Sequence, residues 1–202
     1  MLSVRRMQRG VTLIELMIGL VIFGLLLGLA MPSFTAWIQN TRIRTTAESI
    51  INGMQLARAE AVRRNANVRF QMMSSLTSAC AFSDSGTNWV VARDDASGKC
   101  NVAASNTVAP RTIQSGAGAG SSSTTSVAAA DAAGNAAHMI VFNGMGQVVV
   151  NDDGSGSLAT VNVDSSVLVW PDVRPLRIVV GTGGSLKMCD PNVSSPDTRA
   201  CS

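Results

Sequence analysis

The chain has 202 residues, four cysteines, a single histidine and an aromatic content of 4%, enough length for one domain with a core that does not depend on disulfides alone. Its formal charge of +3 is concentrated at the start, where Arg5, Arg6 and Arg9 stand without an acid; the remainder carries 13 basic and 13 acidic residues. Net charge therefore excludes non-specific nucleic-acid binding by the molecule as a whole and leaves only a local patch to consider.

Residues 1–10 read as a short basic leader closed by Gly10. From Val11 to Met31 the only ionisable side chain is Glu15, and about twenty residues rising ~1.5 Å each match a hydrocarbon core ~30 Å thick. Residues 11–32 are therefore expected to span a membrane as a helix. A carboxylate in such a run costs about 2.5–3.5 kcal/mol near the bilayer centre and needs a positive partner. Cleavage after Gly10 creates one, because the new α-amino group of Val11 lies one helical turn from Glu15 or against the Glu15 of a neighbouring subunit. The arginine-rich leader favours a cytoplasmic N-terminus and a head on the far side. A secretory signal cut near Ala30 and a plain single-span anchor are the competing readings. Glu15 and the length of the run stand against the first, since a signal h-region has only about 7–15 residues.

Gly24 and Gly28 form a small-xxx-small pair suited to close helix approach. Pro32 removes one backbone donor and should kink the helix rather than end it, because the helical pattern resumes beyond it. Over residues 33–65 the apolar positions Phe34, Trp37, Ile38, Ala47, Ile50, Ile51, Met54, Ala57, Ala61 and Val62 recur at intervals of three and four, an amphipathic helix with one flank against the head.

After Asn65 the period changes to two. Val68, Phe70 and Met72 alternate with polar residues as in a half-buried strand, and Trp89 to Ala92 makes another. Residues 111–114 suggest a third. Residues 114–138 hold Gly, Ser, Thr and Ala almost without bulky side chains, and are expected to form a flexible surface loop. Met139 to Phe142 and Gln147 to Val150 flank a turn-rich tetrapeptide, giving a hairpin. Residues 158–163, 176–180 and 184–189 supply further strands. A long helix followed by an antiparallel β-rich head is an α+β layout, with residues 66–202 as the head.

Cys80, Cys100, Cys189 and Cys201 all fall in that head. Three pairings exist, and Cys80–Cys100 with Cys189–Cys201 is favoured because each pair brackets one compact, turn-rich segment. Closing loops of this size contributes on the order of 3 kcal/mol each in the chain-entropy model. No metal site is expected, since there is no C-x-x-C and His138 stands alone. No catalytic residue and no cofactor are expected either: His138 would have to serve every role of a triad, residues 116–120 lack the lysine of a phosphate loop, and residues 151–154 lack the terminal glutamate of a calcium loop.

Gly10 before the cut, Val11-Thr12-Leu13-Ile14-Glu15 after it, and Pro32 closing the run resemble the N-terminus of type IV prepilins and type II secretion pseudopilins. The stretch Gln55 to Asn65, the following strand, the Trp-bearing strand ending in Asp94, and the closing segments Cys189-Asp190-Pro191 and Asp197 to Cys201 resemble the GspH/FimT family. The resemblance implies a type IV pilin-like fold, removal of the leader by prepilin peptidase at the inner membrane, and N-methylation of Val11. It further implies assembly with other major and minor pilins or pseudopilins, Glu15 neutralising an amine during docking, and a periplasmic head. The function it implies is that of a minor type IV pilin which primes or joins the pilus. The alternative is the minor pseudopilin H of a type II secretion system. A third implication, from FimT-type DNA receptors of natural transformation, concerns a Gly-Arg-x-Arg motif before the first C-terminal cysteine. Here that position reads Gly184-Ser185-Leu186-Lys187, so contact with DNA phosphates would fall to Lys187, Arg177 and Arg199.

Overall fold

The structure, a computed structural model, describes residues 11–118 and 124–201, without the side chains of residues 27 and 29–32. The leader, Gly10 included, lies outside the described residues. The chain forms two compact units, residues 1–37 and residues 38–202. A single element, helix α1 (Leu13–Arg64), supplies the described helical residues of both, and it continues through Pro32.

In the first unit the large described apolar side chains are exposed, among them Leu13, Ile14, Leu16, Ile18, Val21 and Phe23. Among the described residues no helix is long and apolar enough to cross a membrane. The expected span over 11–32 includes side chains outside that set.

In the second unit α1 presents a narrow buried stripe. Ile43, Ala47, Ile50, Met54, Ala57 and Ala61 follow one another at intervals of four and three, and each is at most 1% exposed. Burial of the three large members contributes about 1.5–3 kcal/mol each. The helix ends because Asn65 adopts a left-handed conformation (φ +46°) and the Ala66 N–H turns back to the Ala61 carbonyl at 3.2 Å. Asn tolerates that conformation better than other side-chain-bearing residues. Arg63 and Arg64 both grip Glu60 in the last turn, each at 2.6 Å.

Among the described residues nine strands follow: β1 (Val68–Met73), β2 (Asn88–Ala92), β3 (Thr112–Ala117), β4 (Thr125–Ala130), β5 (Met139–Phe142), β6 (Val148–Val149), β7 (Thr160–Ser165), β8 (Leu176–Val180) and β9 (Leu186–Cys189). They form a five-stranded sheet in the order β3-β2-β1-β5-β6 and a four-stranded sheet in the order β4-β7-β8-β9, antiparallel throughout. The inner side chains of both sheets join the helix stripe in one core: Phe70, Trp89, Val91, Ile140 and Phe142 from the first, Val127, Val161, Val163 and Ile178 from the second.

β1 is not half-buried. Its other face carries Gln71 and Met73, which lie under the loop closed by Cys80 and Cys100, and Met73 packs there with Val90, Ala92 and Ala96. Gln71 is buried at no hydrogen-bonding cost, its Nε2 donating to the Asp94 carbonyl (3.0 Å) and its Oε1 accepting from the Ala96 N–H (3.1 Å).

The flexible loop expected over 114–138 is largely ordered. β3 runs to Ala117, β4 pairs with β7 along six residues from Thr125↔Ser165 to Ala130↔Thr160, and Val127, Ala129 and Ala137 are buried. Small side chains suffice here because a sheet-edge strand needs only alternate residues to meet the core, while backbone pairing supplies the rest. Asp131 shapes the next turn, its Oδ1 accepting from the Ala133 and Asn135 N–H groups at 2.9 Å. Residues 119–123 of that segment lie outside the described residues.

Trp89 is clasped between two glycines, one on α1 and one on β3. A Cβ added at Gly53 would stand 2.7 Å from the Phe70 ring and 3.0 Å from Trp89; one at Gly116 would stand 2.3 Å from Trp89. Replacing a helical glycine by alanine ordinarily gains up to about 1 kcal/mol of helix propensity. Overpacking two fixed rings costs about 1–3 kcal/mol. Gly53→Ala is therefore expected to destabilise, lowering the urea midpoint of the full chain in detergent, where an exposed glycine of the same helix would raise it.

Candidate functional site

The chemistry-bearing segment is the start of α1. Thr12 is its N-cap: the Thr12 Oγ1 accepts the Glu15 N–H at 3.3 Å and the Thr12 carbonyl accepts the Leu16 N–H at 3.2 Å. A threonine followed three residues later by a glutamate is a capping signature legible in the sequence itself. The cap fixes where the helix begins, and so places Glu15 in the first turn, where a negative charge is favoured by the exposed N–H groups of the helix end. Glu15 is exposed and has no ion-pair partner among the described residues. Val11, the other half of the proposed pair, is also exposed, and precedes the helix. A Cβ at Gly19, Gly24 or Gly28 would meet nothing within 4 Å, so their backbone is open to a close neighbour.

In the head the four cysteines form Cys80–Cys100 and Cys189–Cys201. The second closes the C-terminal segment over β9, where Lys187 Nζ donates to the Ala200 carbonyl at 2.9 Å. Arg177 and Lys187 share one face of the second sheet, since Arg177 opposes Cys189 and Lys187 opposes Val179. Arg177 Nε donates to Asn162 Oδ1 at 2.6 Å, and Arg199 binds Asp197 at 2.8 Å. The three cations proposed from sequence thus lie in one region, each already engaged within the chain.

A second cationic group lies elsewhere. Arg111 holds Asp94 through two N–H groups, Arg93 and Arg69 add their positive fields, and Arg69 also pairs with Asp152. His138 stacks on Phe82 with ring centroids 4.4 Å apart, its Nε2 3.9 Å from Asp153. Among the described residues no group of three or more His, Cys, Asp or Glu could hold a metal ion.

Residues 46–194 match the family model described as type II transport protein GspH, and residues 5–31 match the prokaryotic N-terminal methylation motif. The chain belongs to the GspH family. With a family head behind a prepilin-type methylation motif, it is a pilin- or pseudopilin-like protein with an α+β pilin-type fold. It is 40% identical over 67 residues to the pilin-like protein PilA1 of Thermus thermophilus, an overlap of 33% of this chain and 42% of that protein, so it spans less than half of that relative's length. Two crystal forms of the type IV minor pilin FimU of Pseudomonas aeruginosa PAO1 are similar at 15% and 16% identity, with TM-scores of 0.46 and 0.43. They cover 77% and 74% of this chain and 97% of theirs.

The carboxylates of the GspH-type head give it an acid limit. Hydrogen bonds from Arg111 hold Asp94 below the usual carboxylate range, against the opposing effect of burial. Arg199 lowers Asp197 to about 2, and Arg63 lowers Glu60. A carboxyl depressed on folding contributes fully above its unfolded value of about 4, and the contribution is lost as pH falls through the folded value. Asp94→Asn is expected to cost about 0.5–1 kcal/mol at neutral pH after solvent screening. The gap between variant and parent should narrow as pH falls below about 4, as followed by thermal melts across the acid range.

Proposed function

We propose that this GspH-family chain is a minor pilin that joins or primes a type IV pilus. Prepilin peptidase cuts between Gly10 and Val11, Val11 is N-methylated, and residues 11–32 hold the subunit in the inner membrane as a single pass with the head in the periplasm. Its partners are other major and minor pilins, and its role is structural rather than enzymatic.

The observation that supports this reading is one acid in an otherwise apolar, exposed helical run that matches the methylation motif. Charge balance makes it work. At ~4 Å and an effective dielectric of ~20, an amine and a carboxylate attract by about 4 kcal/mol. That offsets the about 2.5–3.5 kcal/mol cost of an acid near the bilayer centre. An incoming subunit whose Val11 amine meets Glu15 of its neighbour, or the reverse, brings no net charge into the bundle, while one lacking the acid brings an unpaired amine. Exposed Gly24 and Gly28 allow the helices to approach closely, and Pro32, lacking an N–H, is where the helical ladder is weakest.

The minor pseudopilin of a type II secretion system is the second reading, supported by the description of the matching family. It uses the same residues in the same roles. DNA uptake is a weaker third, because Lys187, Arg177 and Arg199 would each have to exchange an internal partner for a phosphate.

Glu15→Ala is expected to accumulate in the membrane, correctly processed, while its recovery in sheared filaments falls at least about tenfold, the equivalent of ~1.4 kcal/mol or more. Glu15→Asp should retain part of the function. Recovery of Glu15→Ala at the parent level would refute the charge-balance mechanism.

A further inference from the structure

A cleft of about 530 Å³ lies where β7, β8, the loop joining them and residues 191–192 of the disulfide-closed C-terminal segment meet. Small-molecule sites typically occupy roughly 300–1,000 Å³. Sheet register places the polar side chains of this one. Asn162 opposes Arg177 across β7 and β8, and Asp164 shares the face of Asn162 because side chains alternate along a strand. The loop supplies Trp170, 60% exposed, together with the partly buried Leu168, and the C-terminal segment supplies the exposed Asn192.

The loop holds a fixed conformation. The Asp172 and Val173 N–H groups donate to the Val169 carbonyl at 3.0 and 3.3 Å, and the Val167 and Leu168 N–H groups donate to Ser165 Oγ at 3.2 and 3.0 Å. Asn40 of α1 clamps the far end, its Nδ2 donating to the Asp172 carbonyl and its Oδ1 accepting the Arg174 N–H, both at 2.8 Å. The Arg174 guanidinium lies 5.5 Å over the Trp170 ring and donates to the Pro171 carbonyl at 3.0 Å, which steadies the indole. The polar side chains of the cleft are only half used. Arg177 Nε donates to Asn162 Oδ1 at 2.6 Å, and Asp164 Oδ1 accepts the Ser165 N–H at 2.7 Å. The terminal nitrogens of Arg177, Asn162 Nδ2, Asp164 Oδ2 and the Asn192 side-chain amide are left without a partner among the described residues.

We propose that this cleft binds a carbohydrate, with one sugar ring lying on the indole of Trp170. The site is built wholly from the head and does not depend on the reading of residues 11–32 or on pilus assembly. Three features select the ligand class. First, the unused groups are both donors, on Arg177, Asn162 and Asn192, and acceptors, on Asp164 and Asn192; adjacent hydroxyls, each of which donates and accepts, satisfy such a mixed set. An acyl chain or other purely apolar ligand would desolvate them and leave them unpaired. Second, Arg177 and Asp164 balance one another in charge, which suits a neutral ligand, whereas a phosphate would meet the Asp164 carboxylate. Third, the indole offers a flat apolar surface to the C–H groups that a sugar ring presents on one side, so the aromatic and polar walls serve the two sides of the same molecule.

The test is ligand-observed saturation-transfer NMR on the full-length protein in a zwitterionic detergent, which presents no sugar headgroup of its own. The probes are the methyl glycosides of glucose, galactose, mannose and N-acetylglucosamine, with oligothymidylate as the nucleic-acid comparison. At least one glycoside is expected to bind saturably, with a Kd on the order of 1 mM. Trp170→Ala and Asp164→Ala are each expected to weaken that binding at least about tenfold while melting at the parent's temperature. Should Trp170→Ala fail to fold, Asp164→Ala, at a strand position on the outer face of its sheet, decides the matter alone. No glycoside binding up to roughly 50 mM, or binding that survives both substitutions, overturns the proposal. Binding of oligothymidylate alone, lost in Trp170→Ala, assigns the cleft to nucleic acid and overturns it as well.

Discussion

The head depends on the stripe that α1 offers between Ile43 and Ala61. Among the described residues no strand of one sheet is hydrogen-bonded to a strand of the other, and what unites the two is that their inner side chains join the helix stripe in a single core. The stripe combines large and small residues. The glycine at 53 leaves space that Phe70 and Trp89 fill, which is how a core reaches close packing without voids. Trp89 also ties its polar edge to the helix, its Nε1 donating to Ser49 Oγ at 3.0 Å. The disulfides secure what the stripe does not reach. Cys80–Cys100 covers the outer face of the first sheet, and Cys189–Cys201 fastens the C-terminal segment to the edge strand of the second.

The other half of the same helix obeys opposite rules. Its apolar residues occupy every side rather than one, a pattern suited to lipid or to a bundle of identical rods and costly in water. One carboxylate interrupts it, and the Thr12 cap fixes that carboxylate in the first turn. Cap and acid together explain why a motif with so few polar atoms is informative: each polar group sits where the helix end, or an amine delivered to it, can satisfy its charge. A GspH-family head and a methylation motif on one helix thus join a folding problem to an assembly problem.

Most of this was legible in the sequence where side chains are large and periodic. The helix stripe, the Val68 and Trp89 strands, the hairpin at 139–150 and strand β8 were all marked by apolar spacing. The failures have a common cause. Thr125 to Ala130 contains one bulky residue and so has the pattern of a loop, yet at a sheet edge Val127 and Ala129 are enough for β4 to meet the core. In β1, Arg69 and Gln71 alternate with apolar residues as in a half-buried strand, and nothing local shows that a disulfide loop returns over that face to hydrogen-bond the amide of Gln71. Pattern reading sees one strand at a time, whereas burial is decided by what folds back from elsewhere. The Thr12 cap has a local signature, Thr12 with Glu15 three residues on. The clamp of Asn40 on residues 172 and 174, more than 130 positions away, left no sequence signal at all.

The account stands or falls on what the cell does to the first ten residues. Intact-mass and fragment-ion analysis of the protein recovered from membranes should find a chain that begins at Val11 with one methyl group on its α-nitrogen, leaving Glu15 a cationic partner one turn away. A mature chain that begins near Met31, or one that still carries Gly10 when the protein is found in filaments, would contradict it.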